Sequence, residues 1–89
     1  MQKIFKYPLE VKDDQIVLLP KGAVLLSVQV QHGEPCLWAL VETNHEAIPH
    51  KIKIYGTGHP VKDVDYMQFL GTFQLYGGDF IGHTFGSVM

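Results

Sequence analysis

The stretch AVLLSVQVQHGEPCLWALVE, residues 23–42, decides the fold. Val24, Leu26, Val28 and Val30 alternate with Leu25, Ser27, Gln29 and Gln31, which is the period of a strand with one core face and one wetter face. His32-Gly33-Glu34-Pro35 reverses the chain. Cys36 to Glu42 then reads as apolar on both faces, which predicts a central strand covered on two sides. These two runs predict a hairpin.

Outward from that hairpin the same pattern repeats. Lys3 to Leu9 and Gln15 to Leu19 precede it, separated by Lys12-Asp13-Asp14 and stopped by Pro8 and by Pro20-Lys21-Gly22. Thr43 to Pro49 reads as a polar connection. His50 to Tyr55 is a strand with Ile52 and Ile54 inward and Lys51, Lys53 and Tyr55 outward. Val61 to Met67 has room for a single helical turn. Phe69 to Tyr76 and Asp79 to Phe85 form a last hairpin, in which Gly77-Gly78 has the signature of a two-residue turn. The tail after Gly86 is expected to be loose. No segment sustains a 3.6-residue period. The expectation is a single all-β, mainly antiparallel domain over residues 1–89, a small β-sandwich or open barrel of about seven short strands.

Composition narrows the function classes. Eighty-nine residues bury a modest core. Cys36 is the one cysteine, which excludes an intrachain disulfide and a Cys-based zinc site. A hydrophobic content of 46% beside 18% charged residues fits a subunit with a covered face, so a homo-oligomer is expected. The net charge is −2 and every basic side chain besides histidine is lysine. A nucleic-acid polymer is therefore a poor partner, whereas a small phosphate-bearing nucleotide remains open. The opening Met1-Gln2-Lys3-Ile4-Phe5-Lys6 lacks a signal-peptide core and no apolar run suits a membrane span, which predicts a cytoplasmic protein.

Candidate chemistry is sparse. The histidines at 32, 45, 50, 59 and 83 form neither an HxH pair nor an HExxH helix, so no metal site is expected. Gly56-Thr57-Gly58-His59-Pro60 reads either as a phosphate or carboxylate cradle, with Lys51 and Lys53 supplying charge, or as a plain turn. The plain turn is the simpler reading. Tyr55 and Tyr76 are candidates to stack on a base, and Gln74 with Gln29 and Gln31 to meet a heterocycle; a core or solvated role is the bland alternative. Phe73 and Phe85 read as core, at least in part. Cys36 reads as a buried core thiol, and the carboxylates offer no acid/base pair, so no enzyme and no cofactor are expected. A small hydrolase using His59 and His83 is the remaining catalytic option.

Four stretches, KIFKYPLE (3–10), LPKGAVLLSVQVQHGEPCLWALVE (19–42), IYGTGHP (54–60) and GTFQLYGGDFIGHTF (71–85), resemble a family of small phage and prophage proteins of unknown function. The resemblance implies a viral accessory protein in a bacterial cytoplasm and brings no catalytic residues with it. The expected function is a non-catalytic, homo-oligomeric binder that sequesters a nucleotide immune signal. The ligand-binding candidates are Lys51, Lys53, Tyr55, Gly56, Thr57, Gly58, His59, Gln74 and Tyr76. The competing expectation is a protein–protein module that binds a host or phage protein through an exposed face or sheet edge. A cleft shared by Lys53, Tyr55 and His59 would favour the first, an open apolar edge the second.

Overall fold

Turn chemistry cuts the chain into strands of seven to ten residues, and a computed structural model describes residues 1–87. Their order is β1 (Gln2–Pro8), β2 (Asp14–Pro20), β3 (Val24–Gln31), β4 (Glu34–Glu42), β5 (Ala47–Gly56), β6 (Met67–Leu75) and β7 (Phe80–Ser87). Val88 and Met89, in the tail expected to be loose, lie outside the described residues; Ser87 ends β7.

Two antiparallel sheets result. One has the order β1-β4-β3 and the other β2-β5-β7-β6. The extents of 39 × 29 × 15 Å suit two layers roughly 10 Å apart. Leu37, Ala39 and Val41 of the first sheet meet Ile52, Ile54, Leu70 and Phe73 of the second in one core. Among the described residues the fold is thus a seven-stranded sandwich, and no barrel closes. The sheets meet along one side only, where the Gln68 side-chain amide of β6 donates to the Leu25 carbonyl of β3 at 3.1 Å. On the other side β1 and β2 end their sheets without a strand neighbour among the described residues.

Several expectations need correction. The face proposed for Val24, Leu26, Val28 and Val30 breaks at a bulge between Leu25 and Ser27. The extra residue reverses the alternation, so Leu25 and Val28 are buried while Val24 and Leu26 are exposed. β4 is central, yet only one of its faces is roofed by the other sheet; on the outer face Trp38 and Leu40 remain half-buried. β5 starts at Ala47, inside the expected connection. Pro49 is tolerated there because its missing N–H lies on the side where β5 has no neighbour, β7 joining only from Ile52. Val61 to Met67 holds no helical turn. Instead the Met67 N–H donates to the Val64 carbonyl at 3.0 Å across a tight turn.

The two hairpin turns exchange roles. His32-Gly33, both at positive φ (52° and 78°), make the two-residue turn between Gln31 and Glu34. The last hairpin instead takes four residues, Tyr76 to Asp79, between Leu75 and Phe80, and includes a 3₁₀ turn at Tyr76–Gly78. Phe85 is not core. It lies on the outer face of its sheet, edge-on to Phe69 with ring centroids 5.5 Å apart.

Thr84 is fully buried on the inner face of β7, and its Oγ1 has no hydrogen-bond partner among the described residues. A buried hydroxyl without a partner is destabilising, and valine has nearly the same shape. Thr84→Val should therefore raise stability by about 1 kcal/mol, read from the urea unfolding midpoint at unchanged slope. A loss of stability would show that the hydroxyl is bonded in solution.

Candidate functional site

The outer face of the four-stranded sheet gathers most of the candidate residues. β5 presents Lys51, Lys53 and Tyr55, which sit beside Ile16 and Asp14 on β2 and beside Phe85 and His83 on β7. β6 continues the rows with Phe69, Thr72 and Gln74. The period of two on β5 decides this: Ile52 and Ile54 are core, so their neighbours face out.

The segment 57–66 then folds back over part of that face. Its turn begins at Gly56, whose carbonyl accepts the His59 N–H at 3.1 Å, with Gly58 at φ +85° in the position that needs it. The Thr57 N–H goes to the Ile81 carbonyl. The amides of Thr57 and His59 are thus already bonded within the chain, which removes these two donors from the expected phosphate cradle. At Gly56 the constraint is space: a Cβ there would lie 3.0 Å from the His59 ring.

Lys53, Tyr55 and His59 do line one hollow of about 400 Å³. Asp13, Asp14 and Asp63 line it too, however, against Lys53 and Lys62. Lys53 Nζ donates to Asp14 Oδ1 at 2.6 Å and stands 5.9 Å from the centre of the Tyr55 ring. The hydrogen bond to Asp14 holds the Lys53 ammonium above the ordinary lysine range, with the Tyr55 hydroxyl adding to it against partial burial. A raised lysine contributes its full stability below the ordinary lysine pKa and loses it as pH rises through the raised one, so the Lys53 contribution is fully present around neutrality. Tyr55 faces outward as expected, yet it is buried beneath the 57–66 segment and its hydroxyl donates to the Lys62 carbonyl at 3.0 Å. It is not free to stack on a base.

A larger trough of about 710 Å³ crosses the same face, lined by Ile16, Lys51, Lys53, Tyr66 and Met67 with Asp14, Asp63 and Asp65. Three carboxylates against two lysines, one of them already paired, is a poor setting for a polyanion. Nothing in the sequence marks Asp13, Asp63 or Asp65 as neighbours of Lys53. Tyr66 is 91% exposed at the rim and was not anticipated.

The remaining candidates scatter. Gln74 joins Gln29 in a separate groove where β3 meets β6, without Gln31. Tyr76 stands on the last hairpin, 75% exposed and at φ +54°, and lines none of these hollows. His83 Nε2 is hydrogen-bonded to Thr57 Oγ1 at 2.7 Å and its Nδ1 to Thr72 Oγ1 at 2.9 Å. Both ring nitrogens are thus partnered by hydroxyls that fit either tautomer. His59 is not part of that group. His50 is buried, its Nδ1–H donating to the Ile48 carbonyl, and the exposed His45 bonds the Lys21 carbonyl. Among the described residues no group of three or more His, Cys, Asp or Glu side chains is placed to hold a metal. No helix among them is long and apolar enough to cross a membrane.

Residues 1–88 match the family described as "Domain of unknown function (DUF7352)". The chain belongs to the DUF7352 family. No curated protein and no solved structure matches it. The DUF7352 description carries neither an activity nor a viral setting, so the site must be read from its own chemistry. In this DUF7352 chain that chemistry is a mixed-charge trough beside an open apolar sheet edge.

Proposed function

We propose that this chain is a non-catalytic interaction module that engages protein through the open side of the sandwich, where β1 and β2 end the two sheets. The observation that carries the reading is the exposure there of Ile4 (61%), Ile16 (58%) and Leu18 (61%) on edge strands that are paired along one side and, among the described residues, have no strand on the other. A free edge offers unsatisfied backbone donors and acceptors, and large aliphatic side chains beside it reward covering. Pairing with an extended segment supplies both at once. The test is affinity capture with the wild-type chain and with Ile4→Lys and Ile16→Lys, both outward-facing and harmless to the core. One stoichiometric protein recovered with wild type and lost with either variant supports the reading. Complexes indifferent to both substitutions sink it.

A second reading is favoured by the convergence of Lys53, Tyr55 and His59 on one hollow: sequestration of a small nucleotide signal by a phage accessory protein in the bacterial cytoplasm. Its weakness is the surrounding carboxylates. Calorimetry against cyclic di- and trinucleotides and ADP-ribose derivatives tests it. Heat that disappears in Lys53→Ala would establish it, and no heat with any of them would end it.

A further inference from the structure

We infer that the free edge of β2 is filled by the β2 edge of a second copy of this chain, joining two four-stranded sheets into one of eight. This names the partner of the interaction reading above and rests on it.

The backbone sets the first condition. The Ile54 N–H donates to the Asp13 carbonyl at 3.3 Å and the Lys21 N–H to the Glu46 carbonyl at 2.7 Å. Odd-numbered residues of this segment therefore turn their backbone groups toward β5. By the alternation of an antiparallel ladder, Asp14, Ile16 and Leu18 direct theirs outward. Among the described residues no strand takes them. The edges also differ in protection. Both strands end in a proline, Pro8 and Pro20, but β1 also carries Lys3 and Lys6, residues that guard a natural edge, whereas β2 has no lysine and no bulge.

The side chains set the second condition. Antiparallel pairing of β2 with itself about Val17 places Ile16 opposite Leu18 of the second copy, with both outward-directed backbones in register to exchange hydrogen bonds. The same register places Asp13 opposite the second copy's Lys21, and the two-fold axis repeats each contact. Opposite charges facing across strands favour the pairing, and no like charges meet. Asp13 and Lys21 flank β2 and are both exposed, and neither is in an ion pair among the described residues, although Asp13 also lines the hollow with Lys53 and Lys62.

A third observation is independent of β2. Phe5 lies on the core-facing side of β1, opposite the buried Ala39, yet is 41% exposed. The four-stranded sheet stops short of it. A strand added beside β2 extends that sheet toward the uncovered ring. The trough on the outer face changes as well. Ile16 stands at its open end, and the second copy's Leu18 would continue the floor beyond it.

Sedimentation equilibrium and light scattering on the purified chain, over a concentration series, test the inference. The expected species is a dimer. Ile16→Lys should leave a monomer with an unchanged circular dichroism spectrum and thermal unfolding no worse than that of diluted wild type. Asp13→Lys and Lys21→Asp should each weaken the dimer about tenfold, and the two together should restore it. A monomer throughout the series, a dimer indifferent to Ile16→Lys, or charge reversals that the swap does not restore would each overturn it. A monomer whose captured protein is still lost with Ile16→Lys would overturn self-pairing alone and leave the interaction reading standing.

Discussion

Gly82→Ala is expected to destabilise the fold by about 2–3 kcal/mol, a large loss for one methyl group. The inner face of β7 is made of Gly82, Thr84 and Gly86, while its larger residues, Ile81, His83 and Phe85, point away from the core. That inversion leaves room for side chains from other strands to lie across β7. A Cβ at Gly82 would meet the Phe73 ring at 2.5 and 2.8 Å and Ile54 Cγ2 at 3.1 Å. The ring is stiff and buried, so relief requires moving it or the strand. Gly86 faces an equally short contact, 2.6 Å to Leu25 Cδ1 and 2.8 Å to Leu70 Cδ1, but these are the ends of flexible chains. Gly86→Ala should therefore lose less, about 1 kcal/mol. Phe73→Leu in the Gly82→Ala background should recover part of the loss. Urea unfolding of the four proteins measures all of this. Equal losses at the two glycines, or no recovery on trimming Phe73, would contradict the packing described.

The sequence made β7 legible as a strand and illegible as a packing surface. Turn residues and β-branched runs locate all seven strands, because those signals are local. Which face of β7 is inner depends on Phe73, Leu25 and Leu70 arriving from elsewhere. β3 fails for a different reason. In Val24-Leu25-Leu26 every residue is apolar, so an inserted residue leaves no mark, and the bulge that exposes Leu26 cannot be seen. The site was half-legible on the same grounds. The outward row Lys51, Lys53, Tyr55 follows from the alternation of β5 alone. The burial of Tyr55 under segment 57–66, and the pairing of Lys53 with Asp14, require contacts across sequence distance that no periodicity encodes. Those contacts change the chemistry at two of the candidates: Tyr55 is roofed and the Lys53 charge is compensated.

Leu37→Ala should cost about 3 kcal/mol and Leu40→Ala less than about 1.5 kcal/mol, although both lie on the central strand and differ by three residues. Leu37 is fully buried between Tyr7 of β1 and Val28 of β3, facing the second sheet. Its removal leaves a cavity in the one place where both layers contribute walls. Leu40 sits on the outer face between Ile4 and Val24, which are 61% and 52% exposed, and water can refill what its side chain leaves. A chain of this length has a total stability of roughly 4–13 kcal/mol, so the Leu37 variant approaches the folding threshold and the Leu40 variant does not. The comparison also bears on the outer face itself. Alternating apolar residues on both sides of Cys36–Val41 point to a strand covered twice, whereas the sandwich covers it once. Equal losses at the two leucines, measured on the isolated chain, would require a second layer over Trp38 and Leu40. Unequal losses leave Ile4, Trp38, Leu40 and Val24 as an apolar strip that the fold does not need, in addition to the β2 edge.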